Sequence, residues 1–96
     1  MTTDFTGVVI YTTRYCSFCL RAKSLLKKRR MHYQEIPIDR DQVKRREMIQ
    51  KSKRLTVPQI WIGNKHIGGW DELFALDCAG KLDPLLAASS RVSETQ

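Results

Sequence analysis

Cysteine, proline and glycine are scarce in this chain: three, three and five among 96 residues. Three cysteines are an odd number and too few for a disulfide-stapled secreted scaffold. A reducing compartment is therefore the expectation, and there a close cysteine pair tends to be catalytic or metal-binding. No apolar run approaches the roughly eighteen residues a membrane span needs. The longest early one, Val8-Val9-Ile10-Tyr11, is strand-sized. The opening Met1-Thr2-Thr3-Asp4-Phe5 has no basic patch, apolar stretch or small-residue cleavage site, so no secretory leader is expected and a cytoplasmic location is. Internal repeats and low-complexity segments are absent. Acid is short too, with ten Asp and Glu against seventeen Lys and Arg and a formal net charge of +7.

What is present fits one ordinary globular domain: 42% hydrophobic and 28% charged residues over a length with no room for a second core. The core is expected over about residues 7–88, with a frayed tail at 89–96. The positive charge is unevenly placed. Thirteen of the seventeen Lys and Arg lie between Arg21 and Arg54 against only Glu35, Asp39, Asp41 and Glu47. Such a block could draw nucleic acid, an acidic protein or a small anion, or simply be a solvated helix surface. It lacks interleaved aromatics and any readout motif, so a nucleic-acid role is not expected.

Periodicity divides the chain. Gly7–Thr12 is β-branched and aromatic, a buried strand. From Cys16 to about Arg30 the pattern turns helical, with Phe18, Ala22, Leu25, Leu26 and the stem of Arg29 on one face. Residues 32–39 alternate as a second strand. Asp39 or Asp41 can cap a helix reaching about Gln50, whose inward side is thin: Val43, Met48 and Ile49. Pro58 opens a third strand, Gly63-Asn64 is a turn, and Lys65–Gly69 pairs back as a hairpin. Asp71 starts a further helix closed by Gly80, and Asp83-Pro84 a last short one. The order is β-α-β-α-β-β-α. A β-α-β crossover requires parallel strands and the hairpin antiparallel ones, so the fold predicted is α/β, a small mixed four-stranded sheet with helices on both faces.

The C-x-x-C at 16–19 stands where the first strand gives way to the first helix. Residues i and i+3 of a helix are neighbours, so the two sulfurs can meet in a disulfide. Free amide N–H groups and the positive end of the helix dipole favour a thiolate at Cys16, with Arg14, Arg21 and Lys23 adding charge; cysteines so placed have pKa values lowered from about 8.5 into a range of roughly 3.5–7.5. Cys16, first and less buried, is the candidate nucleophile, and Cys19 the thiol that resolves its mixed disulfide. A structural zinc site would need four ligands, and only Cys78, His32 and His66 remain, scattered singly. Two buried small residues is the plain alternative. A C-x-x-C directly after the first strand of a β-α-β unit, however, is the position of a thioredoxin-like redox pair.

Three stretches in order, "YTTRYCSFCLRAKSLL", "TVPQIWI" and "HIGGWDEL", resemble the glutaredoxins, closest to the bacterial dithiol members. The resemblance runs from about Val8 to Leu86. It implies a thioredoxin-like fold, a cis bond before Pro58, and a glutathione site. Thr56 and Val57 would hold the cysteinyl part of the tripeptide with Pro58 as a further site residue, Trp70 and Asp71 the γ-glutamyl end, and Phe18 would stand where the family has the Tyr of C-P-Y-C. Asp71 can pair the amine of that end, and helix N-terminal amides suit its carboxylate. The glycine carboxylate needs a cation. Thr13 occupies the position where the family often has Lys, which leaves Arg14 or Arg54 as substitutes. C-S-F-C in place of C-P-Y-C frees an amide at the helix start and removes a hydroxyl near the sulfur.

The function expected is thus a glutathione-dependent thiol–disulfide oxidoreductase that reduces protein disulfides and protein–glutathione mixed disulfides. Its partners would be glutathione and such proteins, and the chain a monomer with no metal, nucleic-acid or membrane partner. Two alternatives stay open: a redoxin reduced by a flavoprotein reductase, and a dimeric [2Fe–2S] carrier ligated through Cys16 and glutathione. Cys78 is expected to pack in its helix, Trp61 to lie in the core or on the sheet, Trp70 to line the groove, and His32 and His66 to be isolated surface residues.

Overall fold

Five residues, Val8–Thr12, form β1 and occupy the middle of the sheet. In this computed structural model, which describes residues 7–85, the strands lie in the order β2-β1-β3-β4. β2 (Tyr33–Pro37) runs parallel to β1, with Ile10 opposite Glu35. β3 (Gln59–Ile62) runs antiparallel to it, with Ile10 opposite Ile60, and β4 (Lys65–Gly68) folds back on β3. The α1 crossover between β1 and β2 brings the chain back to the same end and so allows the parallel pair, and the turn at Gly63, with φ 62°, explains the hairpin.

Strands buried on both faces read as unbroken apolar runs, and β1 and β3 do. Val8, Ile10, Ile60 and Ile62 face α1 (Ser17–Lys28) and α3 (Trp70–Cys78), where Ala22, Leu26 and Leu73 complete a core with no exposed side chain among its largest members. Tyr11 and Trp61 point the opposite way and meet Met48 of α2 (Gln42–Ser52) together with Ile38. Helices therefore cover both faces, and the predicted element order and α/β sheet stand. No described helix is long and apolar enough to cross a membrane.

Several placements differ from the sequence reading. The buried stripe of α1 is Cys19, Ala22 and Leu26, and Phe18 is turned outward, 49% exposed. On α2, capped by Asp41 through the Lys44 N–H at 3.0 Å, Val43 is 70% exposed and only Met48 of the expected three is fully buried. The N-cap of α3 is Gly69, so Asp71 sits inside the first turn and does not start the helix. Gly80 follows the C-cap with φ 72°, as a closing glycine should. Cys78, expected to pack, is exposed, because it falls on the outer side of α3 from Leu73. The last helical stretch begins at Leu82, ahead of Asp83, and the tail lies outside the described residues.

Candidate active site

Cys16 is the N-cap residue of α1. Its extended backbone (φ −126°, ψ 106°) lets the side chain fold back over the helix end, where Sγ accepts the Cys19 N–H at 3.1 Å. A hydroxyl or carboxylate commonly fills this place; here a sulfur takes it, so negative charge on that sulfur meets a backbone donor and the positive end of the helix. The same sulfur lies 3.7 Å from the Val57 carbonyl, to which the thiol donates when protonated. Cys19, one turn on, is 1% exposed. Burial first, and then the neighbouring Cys16 sulfur, push its thiol up to about 12, while the Thr13 backbone and the Lys23 charge pull weakly the other way. Both cysteines are free thiols in this structure.

The Val57–Pro58 bond is cis, as the resemblance implied. It turns the segment 54–58 alongside the cysteines. Opposite it stands the start of α3, and between the two walls runs an open groove of about 280 Å³ lined by Phe18, Arg54, Thr56, Val57, Trp70 and Asp71 with Pro58, Gly69 and Glu72. Phe18 is held against the Arg21 guanidinium, 5.6 Å from the ring centroid, and Trp70 stacks on Phe74 at 5.2 Å. Seven of the eight residues expected to bind the tripeptide thus meet in one place.

Arg14 is the exception. Its guanidinium and its backbone N–H both engage the Asp39 carboxylate, at 3.3 and 3.0 Å, and it does not line the groove. Arg54 does. Its Nη1 lies 3.4 Å from Glu72 Oε1, and the same oxygen accepts the Gly69 N–H at 2.7 Å. That backbone bond, and then Arg54, hold the Glu72 carboxyl below the usual carboxylate range in spite of partial burial.

Glu72 and Gly69 were not foreseen as site residues, although a Glu three positions after a Gly ahead of a helix is half of a capping box and could have been read. Glycine is favoured at 68: φ is +118°, and a Cβ there would come within 2.7–3.0 Å of the Glu72 side chain. His66 is not an isolated surface residue but a half-buried ring 4.6 Å from Trp61 and 2.8 Å from the Gln59 side chain. Among the described residues no group of three or more His, Cys, Asp or Glu could hold a metal ion.

A reachable sulfur seated on a helix end, with a buried partner behind it and a cis-proline loop beside it, defines a thiol–disulfide oxidoreductase of thioredoxin-like architecture. Comparison with known proteins narrows the class. The glutaredoxin family model matches residues 8–67. Glutaredoxin 3 of Escherichia coli K12 is 56% identical over 80 residues, covering 83% of this chain and 96% of that one. A glutaredoxin of Pseudomonas aeruginosa is 53% identical over 81 residues, 84% and 96% of the two chains. A crystal structure of a buckwheat glutaredoxin–glutathione complex superposes with a TM-score of 0.82 at 32% identity, covering 88% of this chain and 79% of that one. The chain belongs to the glutaredoxin family.

Proposed function

We propose that Cys16 is the nucleophile and Cys19 the resolving thiol of a glutathione-dependent thiol–disulfide oxidoreductase. The observation that carries this assignment is the Cys16 sulfur in the N-cap position, accepting the Cys19 N–H at the mouth of the groove. With a protein–glutathione mixed disulfide, Cys16 attacks the glutathione sulfur as thiolate and the protein thiolate leaves. A second glutathione thiolate then attacks the glutathione sulfur bound to Cys16, giving oxidised glutathione and free Cys16. With a protein disulfide, the Cys16 thiolate attacks one sulfur, the protein S–S bond breaks, and the other protein sulfur leaves as a thiolate, giving a Cys16–protein mixed disulfide. Cys19 displaces the protein sulfur, passing its proton to the medium, and two glutathiones reduce the resulting Cys16–Cys19 bond.

Thr56 and Val57 receive the cysteinyl part of the tripeptide in strand-like fashion, and Trp70 with Asp71 the γ-glutamyl end. Arg54 is the cation for the glycine carboxylate, a role supported by its place in the groove and by the engagement of Arg14 elsewhere. The buckwheat glutaredoxin–glutathione complex supports glutathione as the ligand of such a groove. We place the protein in the cytoplasm as a monomer, with glutathionylated or disulfide-bearing proteins as substrates.

A glutathione-coupled reductase assay on wild type, Cys16→Ser and Cys19→Ser tests the roles. Cys16→Ser should be inactive, and Cys19→Ser should keep deglutathionylation while losing reduction of protein disulfides. Activity in Cys16→Ser would overturn the assignment.

A further inference from the structure

Behind the groove lies a polar side chain with no access to water. Gln59, the first residue of β3, is 0% exposed, and burying a primary amide is costly unless both its ends are satisfied. Here they are. Its Nε2 donates to the Thr56 carbonyl at 3.1 Å, with Thr56 Oγ1 at 3.4 Å, and its Oε1 lies 2.8 Å from His66 Nε2. A backbone carbonyl only accepts, so the amide nitrogen must face Thr56 and the amide oxygen must face His66. The imidazole must then carry its hydrogen on Nε2. Trp61, tilted against the ring at 4.6 Å, holds the imidazole in that orientation. Burial, and then the charge of Arg54, keep His66 below its usual pKa, which favours the neutral ring.

The result is a relay of three groups crossing from β4, through β3, to the exposed Thr56. We propose that Gln59, oriented by His66, is a positioning residue for the glutathione site: its buried amide fastens the Thr56 carbonyl from beneath and so fixes the edge that Thr56 and Val57 offer the tripeptide. This rests on the reading of Thr56 and Val57 as tripeptide contacts. Without the His66 donor, the Gln59 oxygen is left buried and unpartnered, so the side chain shifts toward another donor and its hold on the Thr56 carbonyl loosens.

The test compares two reactions of the full chain. One is reduction of a small glutathione mixed disulfide by glutathione, which needs the tripeptide site. The other is reduction of insulin driven by dithiothreitol, which needs only the cysteines. The variants are Gln59→Met, which keeps length and removes the bonds, and His66→Phe, which keeps the contact with Trp61 and removes the donor. Trp70→Ala and Arg54→Met in the groove walls are controls. Gln59→Met should raise KM for glutathione and its mixed disulfide about tenfold and His66→Phe about threefold, with kcat and the insulin reaction each falling less than about twofold. If Gln59→Met does not fold, His66→Phe carries the comparison. Equal losses in both reactions would reduce the relay to scaffolding and overturn the proposal. So would unchanged KM in the relay variants while the controls raise it. Unchanged KM in the controls as well would instead take down the tripeptide site on which the proposal stands.

Discussion

Cys16 and Cys19 are joined by one hydrogen bond, from the backbone N–H of the second to the sulfur of the first, at 3.1 Å. Three residues apart on one helix, the two thiols have opposite characters: one is a partly exposed cap, the other is 1% exposed with its proton held up to about pH 12. Reactivity follows thiolate content and access. Native protein treated with iodoacetamide near pH 7 should therefore be labelled at Cys16 and at the exposed Cys78, with Cys19 modified only after unfolding. Peptide mass spectrometry reads the result. Labelling of Cys19 in the folded chain at a rate comparable to Cys16 would contradict the asymmetry.

Arg54 is the only cation among the described lining residues of the groove. A hydrogen bond to a charged group contributes about 1.5–3 kcal/mol, and 1.4 kcal/mol is about tenfold in affinity. Solvent reaches Arg54, so the lower end applies. Arg54→Met should raise KM for glutathione about tenfold, with little change in kcat, whereas Arg14→Met should leave both within about twofold because Arg14 lies outside the groove. Equal effects of the two substitutions would reassign the cation.

The Tyr11 hydroxyl donates to Glu47 across the α2 face of the sheet. That bond, aided by Lys44 and opposed by burial, holds the Glu47 carboxyl below its usual 4.5, while burial and then Glu47 push the Tyr11 phenol above its usual 10.0. A carboxyl whose folded pKa is depressed stabilises the fold above the unfolded value and loses that contribution as pH falls through the folded one. A phenol whose folded pKa is raised stabilises below the unfolded value and loses it as pH rises further. Urea midpoints of wild type should thus decline below about pH 4.5 and again above about pH 10. Glu47→Gln should flatten the acid limb, and Tyr11→Phe should cost about 1 kcal/mol at neutral pH. An acid limb of unchanged slope in Glu47→Gln would show that other carboxyls govern it.

Gly68 has φ +118° and the Glu72 side chain folded against it. Gly68→Ala combines an unfavourable backbone with a clash against the carboxyl group that caps α3 and holds Arg54. A loss of about 1–3 kcal/mol in stability is expected, together with a rise in KM for glutathione. Thermal melting and steady-state kinetics on the same preparation measure both. A variant as stable as wild type would show that Glu72 can swing away freely.

Local signals in the chain carried most of this. β1 and β3 were readable because strands covered on both faces leave continuous apolar runs, and the cysteine pair because i and i+3 are neighbours on any helix. The groove residues Thr56, Val57, Pro58, Trp70 and Asp71 were found through resemblance, and the fold gathers them beside Cys16. Relations between distant positions were not readable. Periodicity put Phe18 on the core face of α1, yet a helix whose first turn overhangs a groove has no core to meet there. Val43 failed likewise, since five of the eleven residues of α2 are charged and Met48 is its only apolar side chain to reach full burial. That Arg54 lines the groove while Arg14 turns to Asp39 depends on how separate loops meet in the fold. The Gln59–His66 contact joins two strands through a hairpin register that includes a shift at Ile60/Trp61. Nothing in either residue announces it.

The two outermost strands carry a further consequence. β2 ends in Pro37, which has no N–H to offer, and β4 is four residues long and opens on Lys65. Short, charged or proline-ended borders give an incoming strand few rungs on which to extend the ladder, so crowded or concentrated solutions of the folded chain should resist growth into fibrils.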